Sequence, residues 1–221
     1  MGAGLNGTVS EIFVYRDTLY AGGVFGPRLY FSKEQGVVRW NGAAWDTVGT
    51  LRKGVEAFYE YNASLFASFL GDSVLGNVAY WSGSTWRNII PGPGMWGAAD
   101  AMTVYEGALI IGGHFGMDPP GASDIARWDG HVWSLLGTGT AGNVLALSVY
   151  DGCLIAGTGY PFGGEVGEDY IAAWDGHGWH RLGTGTNMAV YALTVFNNAL
   201  IVGGDFTVAG GDSARFVARW E

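Results

Sequence analysis

The chain has 221 residues, 48% hydrophobic, with 20 Asp and Glu against 11 Lys and Arg, giving a formal net charge of −9. That balance excludes nucleic acid and anionic membrane surfaces as partners, since both need a basic stripe to neutralise phosphates. The single Cys153 excludes an internal disulfide, no apolar run approaches the roughly 18 residues of a membrane-spanning helix, and the opening residues lack the basic and apolar segments of a signal peptide.

The opening segment Gly2-Ala3-Gly4-Leu5-Asn6-Gly7 matches Gly183-Thr184-Gly185-Thr186 far downstream, so the chain starts at the end of a repeating unit. The unit itself recurs five times. Its first apolar stretch ends at Tyr15, Tyr61, Tyr105, Tyr150 and Phe196, a period of about 45 residues, in the range of propeller blades. In each copy that stretch, such as Val190 to Phe196, mixes β-branched, aromatic and apolar residues over seven positions, which predicts a buried strand, strand a. Two residues able to take positive φ follow, as in Arg16-Asp17, Glu106-Gly107, Asp151-Gly152 and Asn197-Asn198, and predict a tight hairpin into strand b.

Strand b, Leu200 to Phe206 in the last copy, carries the pairs Gly22-Gly23, Gly112-Gly113 and Gly203-Gly204, which predict close approach by a neighbour or a kink. Copy four keeps only Gly157, and copy two has Ser68-Phe69, so the second unit is expected to pack differently. Strand c ends at Trp40, Trp81, Trp128, Trp174 and Trp220. After turns at Asn41-Gly42, Ser82-Gly83, Asp129-Gly130 and Asp175-Gly176, strand d begins at Trp45, Trp86, Trp133 and Trp179. Nine of the ten tryptophans thus hold repeat positions, where large flat side chains fill the space between sheets rather than stack on sugars. Cys153 stands where the other copies have Thr18, Ser64, Ala108 and Ala199, and reads as a small packing residue.

A double glycine closing one strand, then Trp-Asp-Gly-x-x-Trp-x-x-Leu-Gly-x-Gly, resembles the kelch propeller repeat. It resembles more closely the Trp-Asp-Gly propeller repeats of many bacterial surface and secreted proteins. The resemblance covers nearly the whole chain, but has Trp where kelch has Tyr and a spacing of five to the second Trp. It implies an all-β, five-bladed propeller of four-stranded antiparallel blades, with strand a innermost and strand d at the rim. It also implies an extracellular or cell-surface setting, and no single activity. One domain, residues 1–221, is expected, with repeats at about 2–48, 49–90, 91–136, 137–182 and 183–221.

Because the chain stops at Trp220-Glu221, the fifth blade is expected to lack its outermost strand. The edge formed by Phe216, Val217, Ala218, Arg219 and Trp220 would then be a template for strand addition and self-association. The alternative is that solvent covers it.

In an up-and-down blade the a–b and c–d turns share one end and the b–c and d–a connections the other. The second end carries the loops that vary: 26–36, 71–76, 116–124, 161–169 and 207–215, with d–a segments such as 91–97. Recognition is expected there. Trp96, Tyr30, Phe31, Tyr160 and Phe162 are the aromatic candidates on that face, against the alternative that they cap the core. Strand a enters from the same face, and its early position is unusually diverse: Ser10, Glu56, Asp100, Leu145 and Tyr191. Glu56, Asp100 and Tyr191 join the candidate ligand site, and the two carboxylates form a second alternative, a glycosidase.

No catalytic residue, cofactor or metal site is assigned. His131 and His177 occupy c–d turns, and His114 and His180 have no partner at metal spacing. The sequence therefore reads as a non-enzymatic binding or adhesion module for a glycan or protein. The alternative is an assembly scaffold joined through the fifth blade's edge.

Overall fold

The computed structural model describes residues 4–25, 35–51, 54–72, 76–89, 96–116, 123–137, 139–140, 142–164 and 166–221. Every regular element among them is a β-strand. The chain falls into two compact units, Met1–Ala99 and Asp100–Glu221.

The first unit holds two four-stranded antiparallel sheets, each with its strands in sequence order. One is β1 (Gly7–Tyr15), β2 (Thr18–Phe25), β3 (Gln35–Trp40) and β4 (Trp45–Thr47). The other is β5 (Val55–Tyr61), β6 (Ser64–Asp72), β7 (Gly76–Trp81) and β8 (Trp86–Asn88). β9 (Trp96–Tyr105) crosses the boundary and pairs in order with β10 (Ala108–Gly116), β11 (Ser123–Trp128) and β12 (Trp133–Leu135). β13 (Val144–Tyr150), β14 (Cys153–Thr158), β15 (Ile171–Trp174) and β16 (Trp179–Arg181) form a fourth such sheet. The last repeat gives a three-stranded sheet, β17 (Val190–Phe196), β18 (Ala199–Gly204) and β21 (Val217–Trp220). Between β18 and β21 the expected loop folds into a two-residue hairpin, β19 (Val208–Ala209) with β20 (Asp212–Ser213).

The local chemistry explains why each repeat closes this way. All five a–b hairpins place both turn residues at positive φ, from Arg16 and Asp17 at 48° and 57° to Asn197 and Asn198 at 48° and 59°. That geometry matches the right-handed twist of the flanking strands. At the c–d turns a side chain takes over. Asn41 Oδ1 accepts the N–H groups of Ala43 and Ala44, Asp129 those of His131 and Val132, and Asp175 those of His177 and Gly178. These two backbone bonds draw the exposed Asp175 carboxyl down to about 2, with His180 adding to the effect, and lower Asp129 in the same way. The histidines of these turns are thus turn residues, as read from the sequence.

Sheets within a unit interlock through the glycines of strand b. A Cβ on Gly22 would lie 2.6 Å from Val55 Cγ1, one on Gly112 2.4 Å from Val144 Cγ1, and one on Gly157 2.4 Å from Val190 Cγ1. Gly22, Gly112 and Gly157 therefore each leave a hole for the valine that opens strand a of the next sheet. The second glycine of a pair serves a different contact. A Cβ on Gly204 would lie 2.1 Å from the Ala189 carbonyl oxygen, on the approach to its own sheet's strand a. Copy two replaces the hole with a hydroxyl: the buried Ser68 Oγ accepts the Ala57 N–H at 3.0 Å.

The tryptophans join sheets as well as fill space. Trp40 and Trp45, Trp81 and Trp86, Trp128 and Trp133, and Trp174 and Trp179 pair with ring centroids 5.1–5.5 Å apart. Trp86 Nε1 donates to the Val48 carbonyl at 2.8 Å and Trp179 Nε1 to that of Leu136 at 3.3 Å. Each bond ties strand d to the segment leaving the preceding sheet. The glycine after that carbonyl, Gly49 or Gly137, has φ near 60° and passes against the ring of Trp81 or Trp174. The Leu-Gly of the repeat motif is thus a packing site for the next repeat's tryptophan.

Candidate functional site

The diverse early position of strand a has a structural cause. In the pairings of β1 with β2, β5 with β6, β13 with β14 and β17 with β18, the register shifts between Val9 and Glu11, Val55 and Ala57, Val144 and Ala146, and Val190 and Ala192. Ser10, Glu56, Leu145 and Tyr191 are the residues these shifts leave without an opposite number. A bulge frees its extra side chain from the pleat's alternation and re-aims it, so the position tolerates any chemistry. Each bulge lies at the end of the sheet from which the b–c connection leaves.

Tyr191 shows what such a side chain does. Its hydroxyl donates to Asp205 Oδ2 at 2.7 Å, just beyond β18, and that bond to a carboxylate raises the phenol above its ordinary range. Glu56 is exposed and Asp100 half-buried. Glu56 lies in the first unit and Asp100 opens the second.

The loop aromatics divide. Tyr160 is 66% exposed, while Phe162 is only 4% exposed and packs 5.0 Å from the Trp179 ring. Phe162 is therefore not the exposed platform its loop position suggested. The Phe162 N–H donates to the Asp169 carbonyl, and paired bonds between Gly163 and Gly167 close the loop over the core. The buried Asp169 carboxylate accepts Arg181 Nε at 2.5 Å, pinning the loop's end to β16. Phe162 still lines a cleft of about 480 Å³ with Val166, Trp174, Trp179 and His177. Tyr30 and Phe31 lie outside the described residues. Trp96 opens β9 through its backbone.

At the other candidate surface, β21 pairs with β18 alone among the described residues and forms an edge of that sheet. Its approach is unusual: Phe216 has φ 69°, its N–H donates to the Phe206 carbonyl, and its own carbonyl accepts the Gly204 N–H. Val217 is 63% exposed and Ala218 half-buried. Arg219 pairs with Glu221 at 2.7 Å, and the half-buried Trp220 carbonyl accepts the Tyr150 hydroxyl at 3.5 Å.

Two features escaped sequence reasoning. Glu11, where the other copies have alanine, accepts the backbone N–H of Phe58 in the neighbouring sheet. Burial raises its carboxyl above 4.5, the Phe58 bond offsetting part of that rise. Asp124 does something similar within its own sheet, accepting the Phe115 N–H at 3.0 Å while burial raises its carboxyl. Among the described residues, no group of three or more His, Cys, Asp or Glu is placed to hold a metal ion.

No family model and no curated protein matches the chain. Solved structures do resemble it. Two are structures of the extracellular domain of BT4673 from B. thetaiotaomicron, assigned in one case to a hybrid two component system and in the other to a one component system. They give TM-scores of 0.62 and 0.63 at 10% identity, covering 95% and 90% of this chain. The chain spans about a quarter of those structures, 26% in each case. The computationally designed Ika8 protein is similar at a TM-score of 0.50 and 14% identity, over 97% of this chain and 74% of its own. These likenesses identify a β-rich fold of repeated four-stranded sheets.

Proposed function

We propose that the chain is a non-enzymatic binding module built on a five-bladed propeller of kelch-like character, recognising a glycan or protein through the end that carries the b–c and d–a connections. The observation that carries this reading is the row of bulges, which delivers chemically different side chains to the end where the loops emerge, above otherwise uniform sheets. Tyr160 and the Tyr191–Asp205 pair supply aromatic surface with a polar handle there, a combination suited to sugars and polar protein surfaces. Asp100 is proposed as a further ligand contact of the second unit, and Glu56 and Trp96 as ligand contacts of the first. The extracellular origin of the BT4673 domains supports an extracellular or surface role. A glycan array probed with wild type, Tyr160→Ala and Trp96→Ala tests the reading. Specific hits lost in either variant support it, and an array without hits, with no protein captured by the same face, counts against it.

A second reading rests on the edge at β21, where Val217 is exposed on a strand with one neighbour. An open edge recruits further strands. Sedimentation across a wide concentration range would reveal such self-association, and a strict monomer would remove it.

A further inference from the structure

The end of the sheets that carries the short turns also bears a site. A cleft of about 540 Å³ lies in the first unit where the β1–β2 and β5–β6 hairpins meet the β7–β8 turn. Its size is that of a small-ligand pocket. Tyr15, Arg16, Thr18 and Tyr20 line it from one sheet. Ala63, Ser64, Tyr80, Trp81, Ser82 and Gly83 line it from the next.

Comparison of the repeats shows that this cleft is not a generic product of the fold. The position of Arg16 is Asn62, Glu106, Asp151 and Asn197 elsewhere, so only the first copy places a cation there. Thr18 and Ser64 are hydroxyls where the later copies have Ala108, Cys153 and Ala199. Tyr20 replaces Phe66, Ile110, Ile155 and Ile201, and Tyr80 replaces Arg39, Arg127, Ala173 and Arg219. Ser82 stands where Asn41, Asp129 and Asp175 hold the other c–d turns, and closes its own turn by accepting the Thr85 N–H. Departures from the repeat in two different copies thus converge on one cavity. Each adds a hydroxyl or a cation, or replaces an acidic or amide turn residue.

The electrostatics follow. In a chain of net charge −9, Arg16 is the one charged side chain among the described residues that line this cleft, and no described Asp or Glu joins it. Asp17, its turn neighbour, lines the adjoining cleft with Arg39. The guanidinium is held in place, donating from Nη2 to the Ala63 carbonyl at 2.6 Å and lying 5.1 Å from the centroid of the Tyr15 ring. A guanidinium carries five N–H donors, so one anchoring bond leaves a fork for a carboxylate. Tyr80, packed against Phe66, and Trp81, packed against Trp86 and Gly49, are only half-buried, so Trp81, expected merely to fill space between sheets, also lends surface to this cleft, where a pyranose ring can lie against both.

We infer that this cleft binds an acidic saccharide unit, a uronate whose carboxylate meets Arg16 while its ring lies against Tyr80 and Trp81 and its hydroxyls meet Thr18, Ser64 and Tyr20. The site is separate from the long-loop surface and stands or falls independently of it.

Titration of ¹⁵N-labelled protein with galacturonate and trigalacturonate tests the inference, with glucose as neutral control and benzoate as a carboxylate without hydroxyls. Expected are shifts of the Thr18, Ser64 and Ser82 amides with the uronates, weaker ones with glucose, and affinity that falls with added salt. Arg16→Gln, at an exposed turn, should weaken uronate binding about tenfold or more and bring it to the level of glucose. Tyr80→Ala should weaken both sugars. Unchanged uronate affinity in a folded Arg16→Gln protein, or shifts confined to other surfaces, would overturn the site. Benzoate binding as tightly as the uronates would overturn its assignment to saccharide.

Discussion

Substituting Gly112 by alanine probes the contact that interlocks the sheets. The new methyl would lie 2.4 Å from Val144 Cγ1 and 2.8 Å from Val144 Cβ. Because Cβ does not move with the rotamer and Val144 is fully buried, a side-chain swing brings no relief and the two sheets must part. Overpacking of this kind costs about 2–3 kcal/mol. Val144→Ala alone removes two methyl groups from a buried site and costs about 2 kcal/mol in transfer and cavity terms. If the sites were independent, the double variant would lose about 4–5 kcal/mol. The volume vacated by valine is the volume the alanine methyl needs, so the double variant should lose only about 2–3 kcal/mol, a coupling of at least about 1.5 kcal/mol. Urea denaturation followed by tryptophan fluorescence measures all four corners of the cycle. Additivity within about 0.5 kcal/mol would refute the hole-and-knob reasoning. The sequence holds a parallel: Ser68 fills the glycine position in copy two, and the following copy has Ala99 where the others have valine.

Ser68→Ala should destabilise by about 1–2 kcal/mol in the same assay, since it strands the buried Ala57 N–H that the hydroxyl accepts; Ser68→Gly should recover none of that bond. Glu11→Gln should gain stability relative to wild type as pH rises above 4.5. A carboxyl raised by burial stabilises the fold below its unfolded value and loses that contribution as pH climbs through the folded one. A difference between the two proteins that stays constant from pH 4 to pH 7 would contradict the burial of this group. Arg181→Ala should cost about 1–2 kcal/mol, because the largely buried Asp169 carboxylate loses its partner while the exposed half of the arginine limits the loss. Protease cleavage within residues 161–169 should rise with it, and an unchanged digestion pattern would show that the ion pair does not pin the loop.

Strands and turns were legible because their determinants are local. The Val190 to Phe196 pattern, the positive-φ hairpin residues and the Asx-type c–d turns each act within a few positions. The double glycines were legible only as a close approach. That one faces the next sheet's valine and the other a carbonyl at the start of strand a in its own sheet depends on pairing register, which no local pattern carries. The bulges were hidden for the same reason, because alternation does not reveal an unpaired residue. Their trace was the chemical scatter across Ser10, Glu56, Asp100, Leu145 and Tyr191. Phe162 looked exposed because it stands in a loop, yet the Gly163–Gly167 closure turns it onto Trp179. The Arg16 cleft went unseen because the short turns look uniform when read for their glycines. Read for departures, positions 16, 18, 20, 64, 80 and 82 all point to it.

Recognition is expected to reside where the repeat is broken. Amide chemical-shift mapping with a glycan-array hit and with trigalacturonate tests it most directly. The predicted result is two patches, one around Tyr160, Tyr191 and Asp205 and one around Arg16, Ser64 and Ser82, with the repeat-conforming turns at His131 and His177 silent. Shifts centred on those regular turns, or spread evenly over the five repeats, would contradict it.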